Sequence, residues 1–444
     1  MNQTEVEQYA LATLPSLYQY LKLPSISAQN QGITETADWL INQFSKLGAK
    51  RVEKWHDQGG NPIVFAEFEG QVDRTVLFYN HYDVQPPEPV AEWQTDPFEP
   101  TVRDGKLFAR GTCDDKGELM SRLTLIKYFQ EHGGLPVNLK FFVEGEEEIG
   151  SPHVDQSVIA HATDLAADVC IWEGGGKDEE ENFQVTCGLK GIVSFDLHVQ
   201  TAAVDLHSSL ASYADNAAWR LVQALASLRG ADNRVRVAGF YDTIESLGET
   251  GQKAVARLTF NDAEVKRNYG LRRPFVYADP KSELINGTTM SINGLSAGYE
   301  GNGVKTIIPK EAHAKLDCRL VPDQEPEDIV KLIRNQLDRN GFEDVNVEFL
   351  LGERAFRTDL DSPFVQLNMT IAQEVYGKAH TKLVPNMAGG GPAKQFVDSL
   401  NVPIVMVGTH YAGSHPHSPN ENIRLADYAK GTYFLGLLLT RYAR

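Results

Sequence analysis

Three short apolar runs each stop at a residue that can hold a metal or a proton, and this repeat constrains the fold more than any other feature. Residues 75–79 lead into Asn80-His81, residues 139–143 into Glu144, and Val169–Trp172 into Glu173. A fourth run, 402–407, ends at Gly408. Runs this short and rich in Val, Ile, Phe and Leu are expected to be buried strands. A helix-like stretch, 118–131, lies between the first two, and helical apolar spacing also marks residues 4–22 and 33–48. Strands alternating with helices imply an α/β fold with a mostly parallel central sheet. Ligands of such sheets gather beyond the carboxyl ends of the strands. Here those ends carry the histidine and the acids.

The middle of the chain follows another pattern. Residues 191–201 alternate like a half-exposed strand, and 214–228 are spaced like an amphipathic helix. Strands are then expected at 288–295 and 312–321, a helix at 326–340 and a strand at 345–350. This order predicts a separate α+β domain inserted into the first. The chain thus divides into 1–187 (first part of the main domain), 188–352 (insert) and 353–444 (second part). Residues 230–286 are polar and give no clear pattern; they read as an insertion within the insert.

At 444 residues the chain is long enough for two domains. Its formal net charge of −18 disfavours nucleic acid and anionic membranes as partners. The four cysteines form no CxxC pair, which suggests a reducing compartment and a cytoplasmic protein. No secretory leader and no apolar tract of membrane-spanning length is evident.

Each chemical motif has a functional and an ordinary reading. In His81-Tyr82-Asp83, a strand-end imidazole can ligate a metal while a carboxylate two residues on fixes its tautomer. The ordinary reading is a loop histidine and a turn aspartate. In Arg110-Gly111-Thr112-Cys113-Asp114-Asp115-Lys116-Gly117, adjacent carboxylates open a helix. They can cap it, or one can bridge two metals. Glu144-Gly145-Glu146-Glu147-Glu148-Ile149-Gly150-Ser151 packs four carboxylates after an apolar strand. An acidic surface loop is the alternative to a division of labour in which one glutamate binds metal and its neighbour acts as general base. Glu173 repeats the strand-end acid, and His417-Ser418-Pro419-Asn420-Glu421 follows His410 and His415.

Taken in order, these motifs resemble the M20 metallopeptidases, a group of aminoacylases, desuccinylases, carboxypeptidases and carnosine-type or Cys-Gly-type dipeptidases. The resemblance covers nearly the whole chain: an HxD after a strand, a GxxxDDKG, an EGEEEIGS, an acid after the next strand, and a late His before S-x-N-E. It implies a zinc-exopeptidase-like catalytic domain with an inserted lid and dimerisation domain. By that resemblance, His81 and Glu173 bind one divalent ion, Glu148 and His417 bind another, and Asp114 bridges them. Glu147 is the general base and Asp83 orients His81. The resemblance implies two zinc ions, although a nitrogen-and-oxygen donor set also admits manganese or cobalt.

The insert carries further matches. Asp205-Leu206-His207-Ser208 resembles the dipeptidase pattern D-L-H-S-G, with Ser209 in place of glycine. The resemblance implies that His207 reaches the active site of a second copy and polarises the scissile carbonyl, hence a homodimer through the insert. It also implies that Thr306 and Arg319 contact substrate, the guanidinium gripping a carboxylate. In 387–392 the sequence reads Met-Ala-Gly-Gly-Gly-Pro, so Gly391, beside Gly390, stands where relatives have serine. The expected function is hydrolysis of small peptides by a dipeptidase or carboxypeptidase-like enzyme. The runner-up is a deacylase of N-acyl amino acids or succinyl-diamino acids. A metal-bound scaffold without turnover is the rival of another class, and the presence of Glu147 counts against it.

Overall fold

The computed structural model describes all 444 residues, Met1–Arg444. Its frame is a ten-stranded sheet. Val72–His81 runs parallel to both neighbours, Val137–Glu144 and Val169–Trp172, and Ile404–Met406 continues in parallel beyond the latter. Ile63–Phe68 and Arg51–Trp55 finish one edge in antiparallel fashion. Side chains alternate across the sheet, Val76 and Phe78 entering one core and Leu77 and Tyr79 the other. Helices therefore cover both faces, as the continuous apolar runs require. Gln3–Ala12, Lys116–Glu131 and Leu425–Tyr442 pack together on one side, while Val154–Ala160 and Ala393–Leu400 pair on the other.

Register decides where the chemistry lies. His81 is directly opposite Glu144. Phe78 is opposite Ile171, which leaves Glu173 level with Asn80. Parallel strands thus end in one plane, and their polar termini share it.

A second sheet runs in the order Thr289–Ala297, Glu311–Leu320, Gly191–Gln200, Asn346–Glu353, antiparallel throughout. Ala217–Leu228 and Pro326–Arg339 cover one face, and Val193, Phe195, Leu197, Leu221, Ile333 and Leu337 form a core of its own. The opposite face is mostly polar, although the apolar Ile192 and Leu351 lie on it.

Two local expectations change. The helix expected over 4–22 is two helices, Gln3–Ala12 and Leu14–Leu21, because Pro15 in the first turn of the second cannot continue the first. The unpatterned 230–286 contains three short helices, Gly248–Arg257, Asp262–Asn268 and Pro280–Asn286. Asn261 and Asp279 cap the latter two by accepting the Glu264 and Ser282 main-chain N–H groups. Val255 and Ile285 meet Val384 of the main domain, so this segment is a buttress between the two sheets. No helix is long and apolar enough to cross a membrane, and all four cysteines are free and buried.

Candidate metal centre

His81 ends the central strand fully buried. Its Nδ1 lies 3.0 Å from the Asp83 main-chain oxygen and 3.5 Å from the Asp83 carboxylate. A carbonyl oxygen only accepts, so Nδ1 carries the proton and Nε2 keeps a lone pair. That Nε2 faces Asp114 Oδ1 at 3.0 Å. The other oxygen, Asp114 Oδ2, is 3.0 Å from His417 Nε2, which is also 3.1 Å from Glu148 Oε2. Donor atoms of His81, Asp114 and Glu173 lie within 4.8 Å of one another, and so do those of Asp114, Glu148 and His417. One carboxylate therefore joins two clusters, one oxygen to each.

Electrostatics favours cations here. Lone pairs facing carboxylate oxygens need a proton or a metal between them. With protons alone, burial opposes a charge on His81, but hydrogen bonds with Asp114 and Asp83 push its pKa well above the usual imidazole value. Hydrogen bonds to Asp114 and Glu148 raise His417 to about 10. Burial, then the charges of Asp115 and Asp114, raises Glu173 to about 8. Burial lifts Glu147 far above the usual carboxylate range, with Glu173, Asp114 and Glu148 adding to the shift. A crowd of acids that resists ionisation is what divalent ions relieve. Imidazole and carboxylate donors suit them, so the residues present fit the metals that the motifs imply.

Glu147 differs from its neighbours. No protein hydrogen bond engages its carboxyl group, whereas Glu148 also accepts from the Gln85 side chain at 2.9 Å. The turn is held from below: the Asp83 carboxylate accepts the main-chain N–H groups of Glu147 (3.3 Å) and Glu148 (3.1 Å). Asp83 was expected to orient His81 through its carboxylate. In the structure its main-chain oxygen makes the closer contact, and the carboxylate chiefly fixes the glutamate turn.

Several supporting residues were not singled out in the sequence. Glu421 is fully buried and collects four donors from the loop that carries Asp114: Arg110 Nη1 (2.7 Å) and the N–H groups of Gly111 (2.9 Å), Cys113 (2.9 Å) and Asp114 (3.1 Å). Glu118 and Arg122, one turn apart on the Lys116–Glu131 helix, tie together the strand ends. Arg122 donates to the Tyr79 oxygen (2.6 Å), Asn80 Oδ1 (2.5 Å) and the Trp172 oxygen (2.9 Å). Glu118 accepts from the N–H groups of Gly174 (2.9 Å) and Thr409 (3.0 Å). Gly117 is needed where it stands, since a Cβ would lie 2.0 Å from the Thr112 carbonyl oxygen and displace the Asp114 loop. Glu421 and Arg110 do lie inside the quoted motifs, and the four-residue spacing of Glu118 and Arg122 is a helix-pair signal.

The residues expected to meet substrate lie outside both clusters. His207 is exposed, and its Nδ1 accepts from the Ser209 N–H (3.2 Å) with the Ser209 hydroxyl at 2.8 Å. The proton is therefore left on Nε2, a donor that no protein group engages. Thr306 adjoins this arm, its main-chain oxygen accepting the Ser208 N–H at 3.1 Å. Arg319 sits on the open face of the second sheet with Glu353 as a nearby counter-charge across Ile192, and no salt bridge or hydrogen bond holds its guanidinium. Gly390 abuts Glu353, whose Oε2 would be 2.3 Å from an added Cβ. At Gly391 an added Cβ would come 3.1 Å from Leu189 Cδ1, so a serine there requires Leu189 to yield.

Comparison with known proteins follows the same lines. The chain is 28% identical to the Cys-Gly metallodipeptidase dug1 of Schizosaccharomyces pombe, over 93% of this chain and 91% of that protein. It is 27% identical to the Beta-Ala-His dipeptidase of Rattus norvegicus, over 87% and 81%. A crystal structure of an M20 family metallo-carboxypeptidase from Sulfolobus solfataricus superposes with a TM-score of 0.85 at 35% identity, covering 97% of this chain and 99% of that one. The model of peptidase family M20/M25/M40 matches residues 77–441, which contain every proposed ligand and the acid Glu147. With its two joined clusters on a mostly parallel sheet, the chain belongs to that family and is an M20-type, metal-dependent peptidase.

Proposed function

We propose that the protein is a two-metal dipeptidase or carboxypeptidase-like exopeptidase acting on small peptides. The observation that carries this reading is Asp114, whose two oxygens each face a different imidazole at 3.0 Å while the Glu147 carboxyl group beside them stays unengaged. His81 and Glu173 would hold one ion, Glu148 and His417 the other, with Asp114 shared. The nitrogen-and-oxygen donors favour Zn2+, with Mn2+ or Co2+ as substitutes. Bound there, the ions supply a Lewis acid for the scissile carbonyl and a lowered pKa for attacking water.

The chain's own groups account for the rest. Glu147 takes the proton from water and returns it to the leaving nitrogen, a role suited to a carboxyl group with a raised pKa. Arg319, whose guanidinium makes no direct hydrogen bond or salt bridge, grips the substrate carboxylate, aided by Thr306 and the Gly390–Gly391 turn. His207 donates from Nε2 to the developing oxyanion of a second copy, which makes the working form a homodimer joined through residues 188–352. Its position outside the clusters of its own chain supports action in trans. The dipeptidase names of the relatives support small peptides over acyl amino acids.

The deciding experiment compares wild type and Glu147→Ala on dipeptides, C-terminally blocked dipeptides and N-acyl amino acids, before and after chelation. Turnover of free dipeptides is expected, lost on chelation and restored by Zn2+ or Mn2+. Glu147→Ala is expected to retain its metals and lose turnover. Normal turnover in that variant would remove Glu147 as the base, and preference for N-acyl amino acids would move the enzyme to the deacylases.

A further inference from the structure

We propose that the polar face of the second sheet carries another divalent-metal site, built from His198, Glu311 and His313 and separate from the Asp114 centre. His198 and His313 are directly opposite each other on the two central strands, and Glu311 shares their face two residues away. Their rings stack with centroids 4.2 Å apart and planes 15° from parallel. Donor atoms from all three residues lie within 4.8 Å of one another. His313 and Arg319 are six residues apart on one strand, about 20 Å at the usual strand rise. The site is thus remote from Arg319, at the end of the sheet where Lys310 meets Asp205 at the base of the His207 arm.

A stacked pair of neutral imidazoles explains the ring geometry and nothing more. It leaves His198 Nε2 buried without a hydrogen-bond partner. A buried, unpaired ring nitrogen is costly, and a metal removes the cost by using the lone pair. Flanking positions neither compete nor obstruct. Asn346 lies across from His198 on its other side, and Ser296 across from His313. Two lysines flank the site: Lys310, 3.4 Å from Glu311 with both side chains about 40% exposed, and Lys315, next along the face from His313 and 3.6 Å from Asp196. The first pair is solvated and easily given up, and the second is already neutralised by its own carboxylate.

The donor set selects the ion. Two imidazoles and a carboxylate favour Zn2+, or Ni2+ and Cu2+, over Mg2+ and Ca2+, which prefer oxygen alone. Tetrahedral ligands around zinc sit about 3.3 Å apart, so the donors close by at most about 1.5 Å, within reach of small side-chain rotations. Water takes the remaining position. The ion would clamp Gly191–Gln200 to Glu311–Leu320, making it a structural cation of the insert.

Equilibrium dialysis of the full chain against Zn2+, read by elemental analysis, tests this directly. Wild type is expected to hold one more ion per chain than His313→Ala or His198→Ala, with peptide turnover unchanged in both variants. In an Asp114→Ala background, the ion that remains is expected to vanish on adding His313→Ala. That arm holds whether or not the Asp114 centre works as proposed. Equal zinc content in wild type and His313→Ala overturns the site. Should either alanine variant fold poorly by circular dichroism, Glu311→Gln at a half-exposed position decides the question by the same readout.

Discussion

In the central sheet, polar residues gather at strand ends, are buried, and are tied to one another across long stretches of chain; in the second sheet they run along an open face and mostly meet water. The Asp114 loop hangs on Glu421, 307 residues away, and two strand ends hang on Arg122. The His207 ring is held only by Ser209, two residues on, and the Arg319 guanidinium has no direct hydrogen bond or salt bridge, only the nearby charge of Glu353. One region is preorganised for charge, and in the other the polar side chains are left largely unpaired. A hydrolase needs both, since reacting groups must be fixed before substrate arrives while the groups that read substrate must let it in.

The sharpest way to break this contrast is Glu421→Ala. It strands the buried Arg110 guanidinium and frees the Asp114 loop. Denaturant melts should show a loss of about 3–5 kcal/mol, and divalent-ion affinity should fall about 10–100-fold. An unchanged midpoint would mean that the loop is held by something else. The second region should respond differently. His207→Ala is expected to lower kcat about 10²–10³-fold, the range for one lost oxyanion donor, with melting and metal content unmoved. Ser209→Gly should give part of that loss by freeing the ring. If His207→Ala melts early instead, the arm is structural.

How much of this was legible beforehand follows the same division. The strand-end residues could be read because a short apolar run, a turn and a ligand are contiguous, and parallel strands then bring such ends together without further information. Glu421 lies inside the His417–Glu421 motif, but nothing local to that motif shows what it holds. Its partners lie more than 300 residues away, and spacing does not encode such a contact. Asp83 is a different case: its contact with His81 is local, but spacing does not say whether the carboxylate or the backbone oxygen lies nearer, and the backbone supplies the nearer one. The helices in 230–286 were missed because their apolar faces are narrow and their caps, Asn261 and Asp279, sit in a tract crowded with other polar residues.

Two smaller effects sharpen the comparison. Arg319→Lys keeps the charge but loses the paired geometry, so KM for free-carboxylate peptides should rise about tenfold, near 1.4 kcal/mol. Blocked peptides should be indifferent. Lys190 lies where the sheets meet, its Nζ donating to the Glu283 (3.0 Å) and Gly287 (2.6 Å) carbonyls. Burial lowers its pKa to about 8. The folded state then sheds this proton at lower pH than the unfolded chain does. Stability should therefore gain a rising component between about pH 8 and the ordinary lysine value near 10.4. Lys190→Met should flatten that rise, as followed by melts across the window; an equal slope in both proteins would place the titration elsewhere.

The Glu421 anchor also sets a timetable. A chain made from its N-terminus exposes Arg110 and the Asp114 loop long before Glu421 and His417 exist. Until then the loop has no fixed shape and one cluster lacks a donor. Hydrolytic competence thus requires that residues 417–421 have been made, and a product terminated before them is expected to be inert rather than an unregulated peptidase.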